Sequence, residues 1–214
     1  MTITRTMIIY GSAIVLYRAA CLVTRYSCCR RQFKNQKGSK LERKIIDYQT
    51  QQHVIAPNIA NSIVLHLVSQ KIEKLIQISN QEVKKNNFKM LDICHHYTSG
   101  LKAFSSDLMY RGVDELRLAC GGIGFLNSSG IPEMWVDNSP LVTYEGVNVL
   151  MYQQSSRYAL KQIKKSKQGK KLKFEFTYLN DIESMFGSRA TVKTVEEAST
   201  MDFIERCLQI RSAF

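Results

Sequence analysis

A chain of 214 residues with 44% apolar content can bury one substantial core, which excludes a largely disordered protein. Only 3 prolines and 11 glycines occur, and long stretches contain neither, so helices are favoured over an all-β design. The formal charge of +12 would suit phosphate-bearing ligands, anionic lipid or nucleic acid, but it is unevenly placed.

The first 41 residues contain no Asp or Glu. Within them, Thr4 to Arg30 reads as a helix, with Ile8, Ile9, Ile14, Val15, Ala19, Leu22 and Val23 spread over a broad apolar face. The apolar run Met7 to Val23 is interrupted by Arg18 and falls short of the ~20 residues of a membrane span. Its Arg-bearing, acid-free character also resembles a mitochondrial presequence, and an ordinary core helix is the competing reading. Residues Lys34 to Lys40 read as a loop.

A second helix is expected from Glu42 to Ser79, with Ile45, Tyr48, Gln52, Ile55, Ile59, Ile63 and Leu67 forming one inward stripe that Val68, Ile72 and Ile76 continue. Pro57 lies inside it, where a kink is expected. A third helix should run from Gln81 to Leu118, with Val83, Met90, Ile93, Leu101, Phe104 and Leu108 inward. A glycine-rich loop follows, and a fourth helix is expected from Glu145 to Lys164. The cluster Lys161, Lys164, Lys165, Lys167, Lys170, Lys171 and Lys173 reads as a solvated linker or helix end. Residues Phe174 to Tyr178 fit a weak strand or a short helix, and Val195 to Ile210 a last amphipathic helix. The sum is an all-α fold, an antiparallel bundle of long helices.

Cys21, Cys28, Cys29, Cys94, Cys120 and Cys207 match no zinc or disulfide spacing and read as reduced thiols of an intracellular protein. His95 and His96 are consecutive and point apart, and His53 and His66 are isolated, so no metal site is expected. Nor can a Ser/His/Asp or Cys/His pairing be defended.

Two features could carry chemistry. Gly121, Gly122 and Gly124 could let backbone approach a ligand or could simply end a helix. They lack the strand-then-helix setting of a dinucleotide fingerprint. Glu145, between Tyr144 and Gly146, could favour a helix N-terminus or act as a base in an apolar pocket. Spacing does not separate these alternatives.

Five collinear blocks carry a family resemblance. They are Arg25-Tyr26-Ser27 with Arg30-Arg31-Gln32-Phe33; Asp47-Tyr48-Gln49-Thr50-Gln51-Gln52; Gly100-Leu101-Lys102-Ala103-Phe104; Cys120-Gly121-Gly122-Ile123-Gly124-Phe125; and Thr143-Tyr144-Glu145-Gly146-Val147-Asn148, followed by Gln154 and Arg157-Tyr158. In that order they resemble the peroxisomal acyl-CoA oxidases of the acyl-CoA dehydrogenase superfamily, closely over residues 1–165 and loosely beyond.

The resemblance implies the following expectations. Residues 1–165 would form the family's C-terminal helical bundle, and 166–214 a basic linker and the start of a second helical domain. The family's N-terminal helical domain and middle β-domain have no counterpart here, so a truncated or split member is expected. Glu145 would be the catalytic base, removing the α-proton of a fatty acyl-CoA. Arg30, Gln32, Phe33, Gly121, Gly122 and Gly124 would contact the FAD of a neighbouring subunit. A homodimer, or a partner chain supplying the missing domains, is implied, and neither nucleic acid nor a transmembrane segment is. The compartment would be the peroxisome, with the mitochondrion as alternative. Two departures stand out: Ile123 replaces a histidine usual in oxidases, and Val147 an acidic residue. They favour, as the alternative, a non-catalytic helical scaffold subunit.

Overall fold

The computed structural model describes residues 1–34, 40–172, 174–181, 191–192 and 194–213. Its elements are helices and 3-10 turns. Helix α1 spans Thr2–Cys29, α2 Gln49–Lys84, α3 Leu91–Ala119, α4 Ile131–Asn138 and α5 Asn148–Lys167. Two short helices, α6 (Val195–Ala198) and α7 (Met201–Ala213), follow. The expected all-α bundle is thus what forms, and its only described strand-like pairing is one isolated bridge, Arg31 with Lys44. The chain divides into two compact units, residues 1–155 and 156–214.

In the first unit the helices run up, down, up and down. Gln51 of α2 reaches Ser27 near the end of α1, while His66 lies against Tyr10 nearer its start, so α1 and α2 are antiparallel. Arg5 meets Ser99, and Gln51 also donates to the Ala119 carbonyl, so α3 returns alongside α1. The start of α5 packs against α3 in the opposite sense, Asn148 at Ser106 and Ser155 at His96. The core is a shared cluster of Ala13, Leu16, Ala19, Ala20 and Val23 from α1, Ile55 and Leu65 from α2, and Met109, Val113 and Leu116 from α3. Each fully buried Leu, Val or Met contributes roughly 1.5–3 kcal/mol. At Gly112 the three helices touch: a Cβ there would stand 2.3 Å from Asn58 Oδ1 and 2.7 Å from Leu16 Cδ1.

Boundaries and faces differ from expectation in instructive ways. A 3-10 turn, Ile45–Asp47, precedes α2, which then runs on past Ser79 to Lys84 and carries Pro57 within it. Asn86, in left-handed backbone, turns the chain so that α3 starts ten residues later than Gln81. The buried face of α2 is Ile55, Asn58, Ser62, Leu65, Ser69, Ile72, Ile76 and Ser79, spaced alternately three and four residues apart. The Ile59, Ile63 and Leu67 row faces outward instead. On α3, Ile93 is inward as expected, but Phe104 is half-exposed while Ala103, Met109, Val113 and Leu116 fill the core.

Helix α1 is long and apolar enough to cross a membrane by length and composition, yet one full stripe of it is buried, from Arg5 to Ser27. The last turn of α5 carries Lys164, Lys165 and Lys167, so part of the lysine cluster is a helix end. In the second unit a small core joins Leu172, Phe176 and Leu179 with Tyr158 and Ile163. The expected terminal helix is broken in two. Thr194 Oγ1 caps α6 by accepting from the Glu197 amide, and Thr200 Oγ1 accepts from the Phe203 amide to restart the helix as α7. The expected Lys34 to Lys40 loop falls largely outside the described residues.

Candidate functional site

After α4 a 3-10 turn, Ser139–Val142, leads into the segment that carries Glu145. The amides of Thr143 and Tyr144 both donate to the Pro140 carbonyl at 2.9 Å. Glu145 then takes φ 56° and Gly146 φ 111°. Left-handed backbone costs a non-glycine residue roughly 1–2 kcal/mol, so the surroundings must hold this turn. Position 146 favours glycine because φ 111° is backbone that residues with a side chain rarely adopt; the Met151 methyl, 2.5 Å from where a Cβ would stand, is a flexible end that could move aside. Glu145 therefore lies three residues ahead of α5 rather than at the helix start.

Two buried cations hold the turn. Arg5 of α1 is only 4% exposed. Its Nε donates to the Glu145 carbonyl at 3.1 Å, and one terminal nitrogen donates to Ser99 Oγ at 2.8 Å and stands 3.3 Å from His95 Nδ1. Lys102 of α3 has no exposed surface. Its Nζ donates to the Gly146 carbonyl and to Asn148 Oδ1, both at 2.8 Å. Asn148 donates in turn to the Ala103 carbonyl (3.2 Å), Ser106 Oγ (2.9 Å) and Asp107 Oδ1 (2.7 Å). The Tyr152 hydroxyl donates to Asp107 Oδ2 at 3.0 Å, and the Gln154 amide bonds His95 Nε2.

Burial governs the protonation of this cluster. Burial, with Arg5 nearby, pulls the Lys102 ammonium down to about 8, and Asp107 and Glu145 partly offset it. Burial likewise lowers Arg5, with Glu145 opposing. His95 is lowered by burial and then by Arg5, against Asp92 and the Gln154 hydrogen bond. Tyr152 is pushed up to about 12 by burial, then by its bond to Asp107. The half-buried Glu145 carboxylate has no hydrogen-bond or ion-pair partner among the described residues, so its oxygens remain available to take a proton.

The other predicted residues gather elsewhere. Arg30 closes α1 in extended backbone, and the chain hooks back through backbone bonds of Gln32 and Phe33 to Arg43. The Tyr48 hydroxyl donates to the Gln32 carbonyl at 2.9 Å. Phe33 is strained at φ 65° and 67% exposed. Gly121 to Phe125 form a 3-10 turn directly after α3. Gln51 ties the two segments together, since its Nε2 donates both to Ser27 Oγ and to the Ala119 carbonyl. The three glycines are not equivalent. Gly121 and Gly122 border open space, whereas a Cβ at Gly124 would stand 1.9 Å from the Arg117 carbonyl.

These two groups lie at opposite ends of α1. Glu145 sits at Arg5, and Arg30 is 25 residues further along the helix, roughly 38 Å at 1.5 Å per residue. One protomer does not bring Glu145 and the Arg30–Gly122 edge together. Among the described residues no cluster of three His, Cys, Asp or Glu side chains could hold a metal ion.

The family model described as acyl-CoA oxidase, C-alpha1 domain, matches residues 1–160. The chain belongs to the acyl-CoA oxidase family. Peroxisomal acyl-coenzyme A oxidase 1 of Mus musculus is 32% identical over 216 residues, covering 100% of this chain and 32% of the mouse protein. The Arabidopsis thaliana protein of that name is 30% identical over 212 residues, covering 99% of this chain and 32% of its own length. An acyl-CoA oxidase structure from Lycopersicon esculentum (tomato) superposes with a TM-score of 0.94 at 34% identity, covering 100% of this chain and 32% of the tomato chain. Acyl-CoA oxidase-1 of Caenorhabditis elegans complexed with FAD and ATP gives 0.83 at 30% identity, covering 98% of this chain and 31% of the nematode chain. The chain thus spans about a third of the length of the oxidases it matches.

Ile123 and Val147, the two expected departures from the oxidase pattern, are 43% and 41% exposed. The roles of Arg5, His95, Ser99, Lys102, Asp107 and Asn148 emerge only in the fold. One signal was present in the oxidase-like block Gly100 to Phe104. Lys102 falls on the stripe Lys102, Ser106, Met109, Val113, Leu116, where three- and four-residue steps mark a buried face and a lysine is out of place.

Proposed function

We propose that this chain forms the C-terminal helical part of an FAD-dependent acyl-CoA oxidase acting on fatty acyl-CoA. The observation that carries it is the Glu145 carboxylate: half-buried, without a hydrogen-bond partner among the described residues, on a turn fixed from two sides by Arg5 and Lys102. Glu145 takes the proton from the carbon next to the thioester carbonyl, which requires its oxygen within about 3 Å of that proton and little competing water. FAD held there would supply the hydride acceptor for the neighbouring carbon and a route for the electrons to oxygen, so that the products would be a trans-2-enoyl-CoA and hydrogen peroxide. Arg30 would hold the cofactor's pyrophosphate, Gln32 and Phe33 would edge the nucleotide, and the Gly121 and Gly122 backbone would approach it. The open space at Gly121 and Gly122 suits that role; Gly124 serves the packing of the turn.

The 38 Å between the two groups, roughly, supports a dimer in which Glu145 serves one flavin and the Arg30 edge that of the other subunit. Residues beyond these 214 would complete each pocket. The matched relatives named peroxisomal place the protein in the peroxisome. Ile123 and Val147 favour one alternative, a helical scaffold that has lost catalysis.

A chimera separates the two. Residues 1–214 replace the matching third of the tomato oxidase, and flavin absorbance and peroxide from palmitoyl-CoA are measured. The expected result is FAD retention and turnover, with Glu145→Gln lowering turnover by roughly 100-fold or more while FAD stays bound. Equal turnover in Glu145→Gln would overturn the role of Glu145, and a flavin-loaded but inert chimera would favour the scaffold.

A further inference from the structure

Burying a lysine completely is uncommon, because its ammonium must be desolvated and its long stem could usually reach water. Lys102 is nevertheless fully enclosed, on a helical face where a leucine or methionine would pack without that cost. Its two acceptors explain the choice. The Gly146 carbonyl and Asn148 Oδ1 flank Val147, so one ammonium ties both ends of the link between the left-handed turn and α5. Arg5 grips the preceding carbonyl, that of Glu145, from the α1 side. Between them the two side chains hold consecutive carbonyls of a turn that the backbone alone would not keep.

We propose that Lys102 is a positioning residue for Glu145, its charged ammonium fixing the 145–148 segment so that the carboxylate is presented in one orientation. The contact stands independently of catalysis; its consequence for turnover rests on the assignment of Glu145 as the base. The charged and titratable groups around Lys102 are Arg5 from α1, Asp107 from α3 and Glu145 from the turn. His95 lies beyond Arg5, and Tyr152 beyond Asp107. Loss of the proton removes the charge that strengthens the bond to the Gly146 carbonyl, so the grip weakens as pH rises through about 8.

The test uses the 214-residue chain labelled with carbon-13, together with Lys102→Met and Lys102→Arg. The carbonyl shift of Gly146 is followed from pH 6 to pH 10, and the rate of glutamyl endopeptidase cleavage after Glu145 is measured. In the wild type the shift should titrate with a midpoint near 8. In Lys102→Met it should be displaced and flat, with cleavage after Glu145 at least tenfold faster while core resonances stay in place. Lys102→Arg should restore slow cleavage and abolish the titration. A Gly146 shift that titrates alike in wild type and Lys102→Met, or unchanged cleavage, overturns the proposal. Should Lys102→Met not fold, the wild-type profile and Lys102→Arg decide: no titration near 8, or an unchanged one in Lys102→Arg, overturns it. None of these readouts involves flavin or substrate, so their failure is distinct from failure of the Glu145 chimera.

Discussion

The Arg5 guanidinium donates to the Glu145 carbonyl at 3.1 Å across 140 positions of sequence. That bond joins the first turn of α1 to the turn before α5, and Ser99 and His95 of α3 share the same guanidinium. Three segments distant in sequence thus meet at one planar cation.

Arg5→Met should therefore destabilise the first unit by about 2–4 kcal/mol, because it removes bonds from a charged donor and leaves the Glu145 carbonyl and Ser99 Oγ without that partner. Arg5→Lys should recover only part of this, since an ammonium cannot reproduce the diverging nitrogens of the fork. Urea denaturation followed by circular dichroism checks both.

The glycines after α3 make a sharper test. Gly122→Ala should change stability by no more than about 0.5 kcal/mol, because its Cβ would meet nothing within 4 Å. Gly124→Ala should cost about 2 kcal/mol or more, because the Arg117 carbonyl in its way is backbone and cannot swing aside. Thermal unfolding separates the two. If Gly122→Ala also weakens FAD retention in the chimera without loss of stability, that glycine serves the ligand.

Acid should loosen the Arg5 cluster through His95. Burial and Arg5 hold its folded pKa below the ordinary 6.5. At higher pH the ring is neutral in both states and makes no difference. As pH falls below 6.5 the unfolded chain takes up a proton first, so stability falls until the folded pKa is reached. His95→Gln lacks this titration. The stability difference between wild type and His95→Gln, measured by urea unfolding from pH 8 to pH 5, should therefore move against the wild type on acidification.

Much of this was legible in the sequence, and the failures share a cause. The long helices and the glycine-rich break followed from periodicity, and the family from five oxidase-like blocks. The cluster beneath Glu145 did not, because Arg5, Lys102 and Asn148 meet only in three dimensions, and the single sign of it was Lys102 on a stripe of otherwise buried positions. Likewise the two ends of α1 are one motif list in sequence but roughly 38 Å apart in the fold.

An apolar row on α2 turns away from the core. Ile55, Ile59, Ile63 and Leu67 recur every four residues and read as one inward stripe. At 3.6 residues per turn each such step rotates about 40° around the helix, so the row winds off the core. Exposure follows that rotation: 3% at Ile55, 37% at Ile59, 52% at Ile63 and 58% at Leu67. Alternating steps of three and four keep to one face, and they select Asn58, Ser62, Leu65 and Ser69 instead. Leu65, 2% exposed, should therefore cost about 2–5 kcal/mol when replaced by alanine. Ile63→Ser and Leu67→Ser should each stay within about 0.5 kcal/mol in the isolated chain. Were Leu65→Ala mild and Ile63→Ser severe in urea unfolding, α2 would be rotated from the position described.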